Sequence, residues 1–155
     1  MPTGAGVGDF DFLLGSWEVR NRRLSTPLTG GDDWDEFPAT SECQRLFGGA
    51  ANLDEITFPS KGFTALTLRL YEPESRDWSL NWVNGRDGRL TPPVTGRFGA
   101  DGRGEFHGED LHDGGRIRCR FIWSNITPTS ARWEQAYSTD GQPGWETNWI
   151  MDFSR

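Results

Sequence analysis

The sequence predicts an all-β protein, a single antiparallel β-barrel of about ten strands. Three observations carry this. Large aromatics are abundant, with 8 Trp and 10 Phe, while all hydrophobic residues together make up only 34% of the 155. That balance disfavours a helical bundle, which needs long runs of Leu and Ala. Second, 20 glycines punctuate the chain, and glycine turns suit short, half-buried strands. Third, segments of period-two alternation recur between turn signals at a spacing of roughly 8–14 residues.

The elements follow in order. The segment 1–8 reads as a flexible N-terminal tail, and 9–155 as one barrel domain. A short helical turn is expected near Asp9–Leu14. Ser16–Ser25 (SWEVRNRRLS) is the first strand, and TPLTGGDD the loop after it. Trp34–Phe47 is long enough to bend around a barrel corner, and Gly48-Gly49 turns it into Ala51–Phe58. Pro59–Gly62 leads to Phe63–Tyr71, and the polar loop Glu72–Arg76 to Asp77–Val83. NGRDG at Asn84–Gly88 is a strong turn, and Pro92-Pro93 stops whatever follows it. Val94–Phe98 is short. Gly99–Gly102 turns into Arg103–Leu111, His112–Gly115 into Arg116–Trp123, and Ser124–Ser130 into Ala131–Thr139. Asp140–Gly144 closes a last hairpin with Trp145–Ser154.

Sorting residues by strand register assigns the two faces of the sheet. Pairing Leu111 with Arg116 sets Glu109 opposite Arg118 and His107 opposite Arg120 as a charged outer face. Phe106 then meets Phe121, Gly108 meets Cys119 and Gly104 meets Trp123 inside. Pairing Ser138 with Glu146 sets Arg132 opposite Asp152 outside. It collects Trp133, Gln135, Tyr137, Thr147, Trp149, Met151 and Phe153 inside. Pairing Leu70 with Trp78 collects Leu66, Leu68, Leu70, Trp78, Leu80 and Trp82 inside, and sends Arg69 and Tyr71 outward. Six of the eight tryptophans thus fall inside or at a barrel end.

The charge balance, 16 basic against 23 acidic residues for a net −7, argues against a nucleic-acid partner, because phosphate binding needs basic patches. Apolar stretches run only a few residues, so no membrane span is expected. The N-terminus shows no basic region ahead of an apolar one, and two cysteines, Cys43 and Cys119, provide no disulfide framework. Together these imply a cytoplasmic location.

The triplet Gly15-Ser16-Trp17 in FDFLLGSWEV resembles the start of calycin-type barrels, where such a Trp plugs one barrel end under a basic side chain. Arg155 is the candidate partner for Trp17. The pieces FDFLLGSWEVRNRRL, LTLRLYEPESRDWSLNW, GRLTPPVTGRF, ITPTSARWEQAYSTDG and WETNWIMDFSR extend the likeness over nearly the whole chain. They resemble the DUF1579 family of bacterial lipocalin-like proteins of unknown function. The resemblance implies a calycin barrel, related in shape to lipocalins, fatty-acid-binding proteins and nitrobindins, and supplies no activity. Nitrobindin-type haem binding needs a late histidine, and no His follows His112. Only Tyr137 or Met151 would remain as haem ligands, so no cofactor is expected.

Catalytic motifs are absent from the sequence: no Gly-x-Ser-x-Gly, no Walker A loop, no dinucleotide fingerprint. Metal-ligand spacing is also missing, and the acidic run Glu109–Asp113 reads as a solvated hairpin end. Glu42, Glu55, Asp110, Tyr137 and His107 are the titratable side chains near strands, with Glu42 and Glu55 expected outward. Arg20, Arg22 and Arg23 read as a charged outer edge.

The barrel interior remains as the functional element. The expected function is binding of a small hydrophobic or aromatic molecule by Trp78, Trp82, Trp123, Trp133, Gln135, Tyr137 and Trp149. A cofactor-independent enzyme in the same pocket, an isomerase or cyclase of a secondary-metabolite intermediate using an inward acid or base, is the alternative. A third reading is a filled barrel that works through a homodimer or a protein partner.

Overall fold

The computed structural model describes residues 6–139 and 143–155. It is all-β, with short 3-10 turns and, among these residues, no α-helix. Ten antiparallel strands close into a barrel. They are β1 (Gly15–Leu24), β2 (Trp34–Leu46), β3 (Ala51–Phe58), β4 (Phe63–Glu72) and β5 (Asp77–Asn84). After them come β6 (Val94–Phe98), β7 (Gly104–His112), β8 (Gly115–Thr127), β9 (Ser130–Thr139) and β10 (Glu146–Ser154). Each strand pairs with its neighbour in sequence, and β10 returns to pair with β1. Among the described residues no helix is long and apolar enough to cross a membrane.

Alternation accounts for most of this. On β1, Trp17, Val19 and Asn21 are buried while Glu18 and Arg20 face water. The β7–β8 hairpin has the expected register, with Glu109 opposite Arg118 and Phe106 opposite Phe121. Its turn, Asp113-Gly114, has positive φ at both residues (50° and 80°). That is the two-residue turn whose twist matches the strands it joins. The helical turn appears as a single 3-10 turn at Asp11–Leu13.

Three expectations are corrected. Tyr71, not Leu70, pairs with Trp78. The inner face of β4 is therefore Ala65, Thr67, Arg69 and Tyr71, all buried, and Leu66, Leu68 and Leu70 lie on the outer face. Near the last turn Glu146 pairs with Tyr137 rather than Ser138, and a bulge between Thr147 and Trp149 restores the expected pairing of Arg132 with Asp152. A bulge admits one extra residue, and here Asn148, not Thr147, becomes buried. Finally, Ser124–Ser130 is not all turn: β8 runs on to Thr127 through an irregularity at Asn125, which has φ 52°. Part of the expected Asp140–Gly144 turn, 140–142, lies outside the described residues.

Of the expected tail, residues 1–5 lie outside the described residues as well. Gly8 N–H donates to the Gly49 carbonyl at 3.0 Å, and Val7 packs against the core.

Two glycines allow β6 and β7 to approach closely. A Cβ on Gly96 would lie 2.0 Å from the Glu105 carbonyl oxygen, and one on Gly108 would lie 2.5 Å from that of Pro93. Backbone cannot yield as a flexible side chain does. Gly96→Ala is therefore expected to cost about 1–3 kcal/mol through overpacking. The midpoint of urea unfolding reads this out, and an unchanged midpoint would show that the strands can part.

Candidate functional site

One barrel end is sealed by aromatics. Phe10, carried in by the 3-10 turn, is 1% exposed. Its ring meets Trp78 and Phe98 edge-on at 5.0 Å each, and lies 5.6 Å from Phe106 and 6.3 Å from Trp123. Edge-to-face contacts of this kind set positive ring edges against negative faces. Asn52 holds the plug by donating from Nδ2 to the Phe10 carbonyl at 3.2 Å. Beside it Trp17 donates from Nε1 to the Leu13 carbonyl at 3.0 Å, and the Arg155 guanidinium covers the Trp17 ring at 3.9 Å. Arg155 also donates to the Leu14 carbonyl, which ties the last residue to the first strand's entry.

Beyond the plug the interior divides into two cavities. The larger, about 170 Å³, lies toward the opposite end. Its apolar wall is Leu80, Trp82, Phe121, Trp133 and Trp149, and Cys119 also lines it. The rings form a continuous edge-to-face series: Phe121 to Trp133 at 5.0 Å, Trp133 to Trp149 at 5.5 Å, Trp149 to Trp82 at 6.1 Å. Its polar rim is Arg23, Thr91, Glu109, Asp110, Gln135 and Tyr137. The smaller cavity, about 30 Å³, lies against Asp54, Thr67, Arg69 and Trp123. The two share Leu80, Trp82, Phe121 and Trp133 as walls.

Hydrogen bonds fix the rim. Gln135 Nε2 donates to Asn148 Oδ1 at 2.8 Å and to Tyr137 Oη at 3.3 Å. Trp149 Nε1 donates to Asn21 Oδ1 at 2.9 Å, and Asn21 Nδ2 donates to the Phe37 carbonyl. The Arg23 guanidinium stacks on Trp149 at 4.2 Å. Thus Trp149 is held at both its edge and its face.

The seven expected binding residues divide accordingly. Trp82, Trp133, Gln135, Tyr137 and Trp149 line the larger cavity, and Trp123 lines the smaller. Trp78 lines neither, because Phe10 and Tyr71 cover it, the latter at 5.5 Å. Arg23 was expected on an outer edge with Arg20 and Arg22. It follows Trp17, Val19 and Asn21 on the inner alternation instead and reaches the rim. Glu42 and Glu55 face solvent as expected, and Asp110 and Tyr137 reach the cavity. His107 is on the outer face, its ring 5.6 Å from Trp145.

Arg69, expected on the outer face, lies inside. It is 4% exposed, and its guanidinium bridges Asp54 Oδ2 at 2.7 Å and Asn52 Oδ1 at 3.1 Å. A charged residue in a Leu-rich strand gives no signal of inward placement by pattern. The signal that could have found it is Asp54, a carboxylate on the inner alternation of β3 with Asn52 and Ile56.

Burial pushes the Tyr137 hydroxyl up to about 12, with Cys119 and Asp110 adding to the rise and Arg23 opposing it. Burial likewise raises the Cys119 thiol to about 12 and the Cys43 thiol to about 11. Each group favours its neutral form in the fold, so its stabilisation is complete below its unfolded value, 9.0 for Cys and 10.0 for Tyr. The stabilisation disappears as pH rises through the folded values. Unfolding midpoints in urea should therefore fall between pH 9 and pH 12, and a flat profile there would contradict the burial.

Comparison with solved structures finds the S-type phycobiliprotein lyase CPES of Guillardia theta. It is 13% identical, with a TM-score of 0.57 over 94% of this chain and 89% of that one. At that identity the likeness establishes the lipocalin-like barrel fold alone. No family model matches the chain, and no curated protein matches it.

Proposed function

We propose that the chain binds a small apolar or aromatic molecule, about one substituted ring in size, inside the barrel. The observation that supports this is the cavity of about 170 Å³ walled by Trp82, Trp133 and Trp149. A protein cavity of about 150 Å³ lined by apolar side chains accommodates benzene, whereas drug-sized ligands need about 300–1,000 Å³. The volume therefore favours a monocyclic compound over a fatty acid or haem. Ring edges and faces supply contact for another ring, and the Gln135–Tyr137 pair lines the polar rim.

The catalytic alternative has weaker support. Tyr137 and Cys119 are held protonated at neutral pH, which makes both poor bases. Asp110 is the carboxylate residue on the cavity side of β7, since the Glu109 carboxylate pairs with Arg116 at 2.9 Å on the exposed outer face. The barrel of the phycobiliprotein lyase supports the fold and carries no reaction across. Membership of the DUF1579 family belongs to the same proposal and rests on the segments FDFLLGSWEVRNRRL and WETNWIMDFSR. A cytoplasmic location rests on Cys43 and Cys119, which are unpaired.

Titration with toluene, followed by tryptophan emission, tests the reading. Three of the ring walls are indoles, so saturable quenching or a shift is expected. Cys119→Leu, which fills the cavity from its wall, should weaken binding at least tenfold. Absence of any saturable change in the wild-type protein would contradict the proposal.

A further inference from the structure

We propose that the smaller cavity is a subsite for a neutral hydroxyl group on the bound molecule. This deepens, and rests on, the reading that the barrel binds a small ring compound. Two residues that line this cavity each carry a buried donor without a hydrogen-bond partner among the described residues: Arg69 at Nε and Trp123 at Nε1. The Arg69 side chain is 5% exposed and Trp123 is 2% exposed. A buried donor left unmatched costs free energy, so two at one small space mark a place built for an oxygen. The two side chains are neighbours, with the Arg69 Cζ 5.7 Å from the Trp123 ring centroid. Trp78 Nε1, Arg120 Nε and Asn148 Nδ2 are also unpartnered among the described residues, but their residues line neither cavity.

The charge state selects the group. Asp54 already neutralises Arg69 at 2.7 Å, with 6% and 5% of their side chains exposed. A carboxylate would add a third, uncompensated charge to a dry space, which is unfavourable. A hydrocarbon leaves both donors unmatched. An alcohol or phenol satisfies the site in both directions. Its oxygen accepts from Arg69 Nε or Trp123 Nε1, and its proton goes to Thr67 Oγ1 or the Asp54 carboxylate, both on lining residues. The two cavities lie side by side against Leu80, Trp82, Phe121 and Trp133, and the proposal places the ring in the larger and its hydroxyl in the smaller.

Two isosteric pairs test this by calorimetry: phenol against toluene, and benzyl alcohol against ethylbenzene, with benzoate as the charged control. In at least one pair the hydroxyl compound should bind tenfold or more tightly than the hydrocarbon, and benzoate more weakly than phenol. Trp123→Phe, which keeps the ring and removes the donor, should cut that preference to under threefold. Should that variant not fold, the double replacement Arg69→Met with Asp54→Leu, which removes the pair together, must show the same loss. Equal binding within both pairs would overturn the subsite while leaving ring binding intact. A preference that survives both replacements would assign the hydroxyl to the Gln135–Tyr137 rim and overturn it equally. If neither member of either pair binds, the ring-binding reading itself fails and the subsite with it.

Discussion

Asp54→Ala is expected to cost about 3–5 kcal/mol, because it leaves the Arg69 guanidinium charged and unpaired in the barrel interior. Arg69 and Asp54 are 4% exposed each and joined at 2.7 Å. The remaining partner on Arg69, Asn52 Oδ1, is neutral and cannot offset the charge. The loss spreads beyond the pair, since Asn52 also holds the Phe10 carbonyl, and Arg69 lies 5.3 Å from the Phe10 ring. Replacing both partners by apolar residues of similar volume should recover most of the loss, as buried ion pairs contribute little net stability against well-packed hydrophobes. Urea unfolding of the single and double variants measures this as a double-mutant cycle. A single variant within 1 kcal/mol of wild type, on the order of an exposed ion pair's worth, would show that water reaches Arg69.

Phe10→Ala should cost a comparable amount, about 3–5 kcal/mol, the usual range for a fully buried Phe. Its ring is the hub of the plug, in contact with Trp78, Phe98, Phe106 and Trp123, and these rest on four different strands that cannot all close inward. Removal leaves a void beside the smaller cavity rather than a collapsed end. Near-ultraviolet circular dichroism should lose the exciton features of the packed rings as the unfolding midpoint falls. Phe10→Leu, which keeps bulk but not the ring edges, should lose less. If Phe10→Ala unfolds at the wild-type midpoint, the 3-10 turn is a lid rather than a plug. For a domain whose total stability is typically about 5–15 kcal/mol, either single variant removes a large share.

The strand order and most of the bounds are readable because the pattern is redundant. Glycine turns and period-two runs agree at the β7–β8 hairpin, where Asp113-Gly114 fixes the turn and all six expected residue pairs are present. The tryptophans are legible for the same reason. Trp17, Trp78, Trp123, Trp133 and Trp149 are buried, and Trp82 packs against the core. Strand β4 was not legible. Leu66, Leu68 and Leu70 form a period-two apolar set that outranks Thr67, Arg69 and Tyr71 by hydrophobicity. Yet the outer face carries the leucines, while the inner face carries the Arg69–Asp54 pair. A pattern argument places charge outward unless the partner is known, and the partner sits on another strand. Asn148 was hidden by its bulge, since one inserted residue shifts the alternation for a single step. The division of the interior into two cavities was likewise beyond the sequence, because it depends on how the Phe121, Trp133 and Trp82 rings turn, not on which strand carries them.

The central claim is that the barrel interior accepts a ring compound between Trp82, Trp133 and Trp149. A crystal of the protein soaked with iodobenzene tests it directly, because the anomalous signal of iodine locates the ligand without ambiguity. The account expects one iodine site within the larger cavity, its ring edge-on to Trp133 or Trp149, and no such site in Cys119→Leu crystals. Iodine found only on the outer surface, with the interior tryptophans undisturbed, would contradict it.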